Sequence, residues 1–184
     1  IDLVFVQSGS YTNPNASISL NANQALVGNG STASLAQAIT DVGITLAPES
    51  VVLATISPAT TPSLSNNASV ITLGGGNLVE YFAISNTAGA AIAGTSAGSG
   101  TSNIHDITIT DTIGNGVSIS ANLGTLNFSN LAITTTSGNA FAATGGGSTI
   151  NVTTGSSANT LASTTGTALN VTNTTIGASG MTFQ

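Results

Sequence analysis

The sequence predicts an all-β chain wound as a parallel solenoid, and three observations carry that prediction. The first is a repeat. Asn103-Ile104-His105-Asp106-Ile107-Thr108-Ile109 aligns with Asn127-Phe128-Ser129-Asn130-Leu131-Ala132-Ile133 about 24 residues on, and Gly114-Asn115-Gly116-Val117 falls on Gly138-Asn139-Ala140-Phe141 at the same offset. The second is the pattern within each copy: large apolar residues at i and i+2 point to one side of a strand, a Gly/Asn turn follows, and a second apolar strand begins. The third is composition. Hydrophobic residues make up 40% of the chain but are spread in short pieces of Ile, Val, Leu and Phe, while charged residues are only 3%. A unit of this length made of short strands and turns is one coil of a solenoid, which buries its apolar side by stacking on the next.

The 184 residues suffice for one domain with a continuous core. Lysine and arginine are both absent and the net charge is -6. An ordinary soluble chain is roughly a quarter charged, so Ser, Thr and Asn must carry hydration here. With no cation to neutralise phosphates, nucleic acid and anionic membrane surfaces are not expected partners. The same lack removes P-loop lysines, arginine fingers and Schiff-base lysines. Without cysteine there is no disulfide and no thiolate chemistry. No apolar run reaches the roughly 18 residues of a membrane span, so no membrane insertion is expected. No basic segment precedes an apolar one, and an export signal is expected to have been removed ahead of Ile1.

The first coils span residues 1–28. Asp2-Leu3-Val4-Phe5-Val6 places Leu3 and Phe5 on one face and Val4 and Val6 on the other, and Ile18-Ser19-Leu20 and Ala25-Leu26-Val27-Gly28 are the next short strands. Residues 29–67 break the rhythm and are expected to form an irregular insertion, with one helical turn over Ser34–Ile39 capped by Ser34. Pro48, Pro58 and Pro62 punctuate it. Regular coils resume over 68–184. Val70-Ile71-Thr72-Leu73 is a strand and Gly74-Gly75-Gly76-Asn77 a turn. Phe82, Ile84 and Ile92 precede Ile107, Ile109 and Val117 by one repeat. After Phe141 come Ile150, Val152, Leu161, Leu169, Val171, Ile176, Met181 and Phe183 at contracting spacing. Outward positions are polar or small: Thr108, Thr110, Ala132 and Thr134.

Adjacent coils in such a fold lie about 4.8 Å apart, so every inward residue meets its counterpart above and below. Asn at repeated corners can hydrogen-bond along the axis, and Asn103 over Asn127 is expected to do so. The opening pattern of Asp2, Val4, Val6, Gly9, Tyr11, Ile18, Leu20, Gln24, Leu26 and Gly28 resembles the first coils of right-handed parallel β-helix proteins of the pectin-lyase-like group. The stretch Gly166 to Gly177 is similar to repeats of large secreted bacterial surface proteins, such as autotransporter passengers and filamentous adhesins. The resemblance implies a right-handed parallel β-helix with coils of about 20–25 residues, and with it export, surface display and repeated arrays. Handedness also agrees with the chirality of parallel crossovers.

The candidate sites are few. Polysaccharide lyases of this fold use an arginine or lysine base beside calcium, and this chain has neither base. Related glycosidases cluster aspartates near a Gly-His-Gly motif; here the nearest counterpart is His105-Asp106 with Asp111, without the flanking glycines. Glycosidic acid/base work needs two carboxyls at a set separation, so no catalytic residue is assigned, and no cofactor. Asp106 and Asp111, with Asn130, are a thin oxygen supply for calcium, which takes six to eight ligands. Gly74–Gly76 and Gly145–Gly147 are read as turns. Asn-x-Ser/Thr triplets begin at Asn15, Asn29, Asn67, Asn127, Asn151, Asn170 and Asn173, of which Asn15, Asn29 and Asn67 are the loop candidates for glycosylation. A Thr-x-Thr array of the kind ice-binding solenoids carry is broken by Ala83, Ser85 and Ala132.

The two ends begin and finish near strands, with no charged or helical cap. The expectation is therefore a non-enzymatic extracellular or cell-surface protein, a fibre subunit that stacks head to tail on copies of itself by β-strand addition. Leu3, Val4 and Phe5 would meet Met181, Thr182 and Phe183. The alternatives are an adhesin or carbohydrate-binding segment of a longer protein, which contacts surface glycans through the 29–67 insertion or the Thr/Asn faces, and thirdly a polysaccharide lyase or glycosidase.

Overall fold

In the computed structural model, which describes residues 2–13, 17–30, 39 and 60–184, parallel strands stack into a β-solenoid of about six turns. The first coil comprises β1 (Asp2–Val6), β2 (Ser10–Thr12) and β3 (Ile18–Ser19); the second, β4 (Gln24–Gly28), β5 (Ser63–Ser65) and β6 (Ile71–Thr72). In the next three coils the first two strands fuse into one long bent strand followed by a short one. These are β7 (Leu78–Ser85) with β8 (Ile92–Gly94), β9 (Thr101–Thr112) with β10 (Val117–Ile119), and β11 (Thr125–Thr135) with β12 (Phe141–Ala143). Then come β13 (Thr149–Thr153), β14 (Thr160–Ser163) and β15 (Leu169–Val171), and β16 (Thr175–Met181) lies on β13. Each coil therefore has three faces. The first runs β1-β4-β7-β9-β11-β13-β16; the third runs β3-β6-β8-β10-β12-β15. Between them the second face is built from β2, β5, the far arms of β7, β9 and β11, and β14.

The repeat read from the sequence is the stacking register itself. Phe82 pairs with Ile107 and Ile84 with Ile109, Ile92 with Val117 and Val117 with Phe141. Each face contributes at least one inward ladder. The first is Val4-Leu26-Val79-Ile104-Phe128-Val152-Met181. The second is Tyr11-Leu64-Ile84-Ile109-Ile133-Leu161, and the third Ile18-Ile71-Ile92-Val117-Phe141-Leu169. From Leu26 to Val152 these rungs are buried, each stabilising by roughly 1.5–3 kcal/mol. Rings lock the ladders to one another: Phe128 meets Phe141 edge to face at 5.1 Å, and Phe183 lies 5.7 Å from Phe141. Thr108, Thr110, Ala132 and Thr134 face solvent, as their alternation predicts.

What bends the long strands is a residue near the middle of each with left-handed backbone: Tyr81 (φ 62°), Asp106 (φ 56°) and Asn130 (φ 51°). Asp and Asn tolerate that region better than most residues, because their short polar side chains can hydrogen-bond locally. A bulky residue there is uncommon, and Tyr81 is accommodated because the coil beneath it offers glycines. A Cβ on Gly28 would lie 2.0 Å from the Tyr81 carbonyl oxygen, and one on Gly30 would lie 2.7 Å from its ring.

Two details depart from the sequence expectation. Ser63–Ser65 falls inside the stretch expected to be irregular, yet it forms β5 in register with β2 and β7, so regular stacking resumes before residue 67. Apart from Ile39, the helical turn expected over Ser34–Ile39 lies outside the described residues. The second concerns Asn103 and Asn127, which do hydrogen-bond (3.0 Å). They do so from the middle of the first face rather than from a corner.

Candidate functional site

The outward side of the first face carries two rows of side chains. One row is Leu78-Asn103-Asn127-Asn151; the other is Glu80-His105-Ser129-Thr153. Strand alternation sets both rows two residues apart on one side, and the repeat sets each residue over its counterpart. The rows floor a groove of about 810 Å³, bounded at its ends by Tyr81 and Ser179.

Within the first row the amides form a chain. The Asn127 Nδ2 donates to Asn103 Oδ1, and the Asn151 Nδ2 donates to Asn127 Oδ1, both at 3.0 Å. The Ser179 backbone N–H donates to Asn151 Oδ1 at 3.2 Å. An amide nitrogen has two hydrogens and its oxygen two lone pairs. Each rung of the ladder thus keeps hydrogen-bonding capacity beyond the ladder itself.

The second row begins with a charged cluster. Glu80 is 1% exposed, and its Oε2 lies 3.1 Å from His105 Nε2. The other ring nitrogen, Nδ1, lies 2.8 Å from Asp106 Oδ2. Asp106 Oδ1 in turn accepts from Asn130 Nδ2 (3.0 Å), whose own Oδ1 accepts from the Ser157 N–H (2.9 Å). The Tyr81 ring stands edge-on to the imidazole, 6.1 Å between centroids. An ionised carboxylate only accepts, so a ring nitrogen that faces one must bring a proton. The cluster thus sets two carboxylates against one imidazole.

This geometry decides several sequence expectations. His105 and Asp106 do meet, and Glu80, which sequence reasoning passed over, completes the cluster. The signal for it was present: the offset that puts Phe82 beneath Ile107 also puts Glu80 beneath His105. Both ring nitrogens are engaged by carboxylates, so neither is open to take a proton from a hydroxyl or a sugar. Asp111 lies away from the cluster, on a bulge at the far end of β9, with left-handed backbone (φ 54°) and an exposed side chain. Asn130 turns its Nδ2, not its oxygen, toward Asp106, so Asp106, Asp111 and Asn130 do not converge as calcium ligands. Among the described residues no group of three or more acidic or histidine side chains is placed to hold a metal ion.

Of the glycosylation candidates, Asn67 is exposed in a turn, Asn15 lies outside the described residues, and Asn29 is buried, which puts its amide out of an enzyme's reach in the folded chain. The amides of Asn127 and Asn151 each bond a neighbour in the ladder. On the second face Ala83, Thr108, Ala132 and Thr160 stack in one row, so no continuous threonine array exists there. Of the residues expected at a stacking interface, Val4 is exposed, while Leu3 and Phe5 are half-buried. Met181, the last residue of the outermost strand β16, and Phe183 pack against the core, and the Thr182 N–H donates to the Val152 carbonyl.

No family model matches the chain, and no curated protein and no solved structure matches it. The fold defines the class, a parallel β-solenoid with a polar groove on one face.

Proposed function

We propose that this solenoid is a rod displayed outside the cell whose first-face groove binds a glycan chain, in keeping with the resemblance to surface-exposed β-helical segments. The observation that carries the reading is the amide ladder Asn103-Asn127-Asn151 on the groove floor. It offers one amide per coil at a spacing of about 4.8 Å, close to the length of one sugar unit in an extended chain. Sugar hydroxyls and acetamido groups both donate and accept, as the amides do, and the Tyr81 ring gives the groove wall an apolar surface. Titration calorimetry against a panel of linear oligosaccharides tests the reading. Binding by at least one, weakened about fivefold or more in a folded Asn127→Ala variant, is the expected result. No binding by any member of the panel would overturn it.

A second reading is head-to-tail stacking into a fibre. It is favoured by exposed apolar residues on the outermost strands of the first face, Val4 (46% exposed) and Ile176 (55% exposed). Negative-stain microscopy separates the two: uniform filaments favour stacking, and monodisperse rods do not.

A further inference from the structure

The charge arrangement of the groove points to a ligand class. We infer that the groove takes glycans without carboxylate or sulfate groups, neutral or amine-bearing, and turns acidic chains away. This rests on the glycan-binding reading and narrows it.

Three observations converge. The chain contains no lysine or arginine and one histidine, so His105 is the only side-chain cation the groove could offer. That histidine is already committed, with Glu80 Oε2 on one ring nitrogen and Asp106 Oδ2 on the other. A ligand carboxylate at the ring would compete with a carboxylate of the chain on either nitrogen. Glu80 and His105 line the groove, Asp106 stands against the imidazole from outside it, and the rest of the lining (Asn103, Asn127, Asn151, Ser129, Thr153) is uncharged. An acidic glycan would lose water around each carboxylate and meet amides, hydroxyls and a like charge in return, an exchange that burial penalises. A hydroxyl or acetamido group loses nothing comparable, because the amide ladder replaces its water hydrogen bonds. An ammonium gains from the Glu80–Asp106 side. Long-range attraction adds to this, since the whole chain has a net charge of -6.

The test compares oligosaccharides of one length and linkage that differ only in one substituent: glucose, N-acetylglucosamine, glucosamine and glucuronate oligomers. Calorimetric titrations at low salt should show the uronate oligomer binding about tenfold or more weakly than the best uncharged one, with the gap shrinking as salt screens the repulsion. A uronate oligomer that binds as tightly as the uncharged ones, or more tightly, overturns the inference and leaves the glycan reading standing. Failure of every oligomer to bind removes that reading, and the inference with it. Asp106→Asn supplies a second measurement. Asn130 already occupies the equivalent left-handed corner in the next coil, so the fold accommodates the change. The variant should raise the uronate-to-neutral affinity ratio about threefold. An unchanged ratio in a folded variant would show that the cluster's charge does not select the ligand.

Discussion

Replacement of Asn77 tests how the turns hold successive coils in register. Its side chain is 1% exposed and makes four hydrogen bonds. Oδ1 accepts from the Gly74 N–H (2.8 Å) and the Gly75 N–H (3.0 Å), while Nδ2 donates to the carbonyls of Asn21 (2.8 Å) and Gln24 (3.0 Å) in the coil below. At about 0.5–1.5 kcal/mol net for each bond, Asn77→Ala should cost roughly 4 kcal/mol, and more if the abandoned backbone groups stay dry. Asn77→Asp is the sharper test. A carboxylate keeps the two glycine contacts but can no longer donate, and it sets negative charge against two carbonyl oxygens in a buried site. The expectation is a loss of at least about 3 kcal/mol, read from urea unfolding followed by circular dichroism at neutral pH. Asn77 immediately precedes β7, which carries Glu80, so the same change should loosen the Glu80–His105 contact. If Asn77→Asp unfolds within about 1 kcal/mol of the unsubstituted chain, the donor half of this assignment is wrong.

Other substitutions probe the core, the corners and the close backbone approaches. Phe128→Ala removes a buried ring packed on Phe141 and should cost about 3–5 kcal/mol in the same unfolding assay. At Gly138 an added Cβ would sit 2.1 Å from the Gly114 carbonyl oxygen. Gly138→Ala must therefore push two coils apart, and its thermal midpoint should fall by several degrees, the shift that about 2 kcal/mol produces. Asp106→Val puts a β-branched residue at φ 56° and should lose about 1–3 kcal/mol, whereas Asp106→Asn should stay within about 1 kcal/mol of the parent in guanidinium titrations. Equal losses for the two would mean that the corner's backbone is not what selects the residue.

The ladders were legible because stacking turns a linear repeat into spatial contact. Phe82 over Ile107 and Val117 over Phe141 are the same statement in sequence and in space. Asn103 against Asn127 was legible for the same reason. Glu80 was passed over because it lies in a coil whose counterpart residues differ in kind: Glu80 answers to His105 and Tyr81 to Asp106, so no identity marks the match and only the offset does. β5 was hidden for another reason. Ser63-Leu64-Ser65 has a single apolar residue, and its pairing is with β2, centred on Tyr11 and distant in sequence, and with β7. At the C-terminal end the spacing from Phe141 to Leu169 is longer than one regular repeat, because the turn between β13 and β14 is lengthened: Ser129 pairs with Thr153, 24 residues on, but Ala132 pairs with Thr160, 28 residues on. Periodicity read from the residues therefore loses phase there, although the ladder does not.

The lack of basic side chains and the character of the groove have one physical origin. In a parallel solenoid an outward residue repeats its contacts at about 4.8 Å, so a row of like charges would repel by roughly 1 kcal/mol per neighbouring pair in water and by about 3 at the effective dielectric of a protein surface. Amides and hydroxyls avoid that repulsion and replace it with attraction, since each Asn donates to one neighbour and accepts from the other. Charge is tolerated in a stack where its sign or its proton count alternates, as it does through Glu80 and His105. Any surface assembled under this rule is built of uncharged donors and acceptors, with its rare ions compensated from within. For the proposed glycan ligand this means matching neutral groups at coil spacing, and the amide row and the carboxylate-flanked histidine favour the same class.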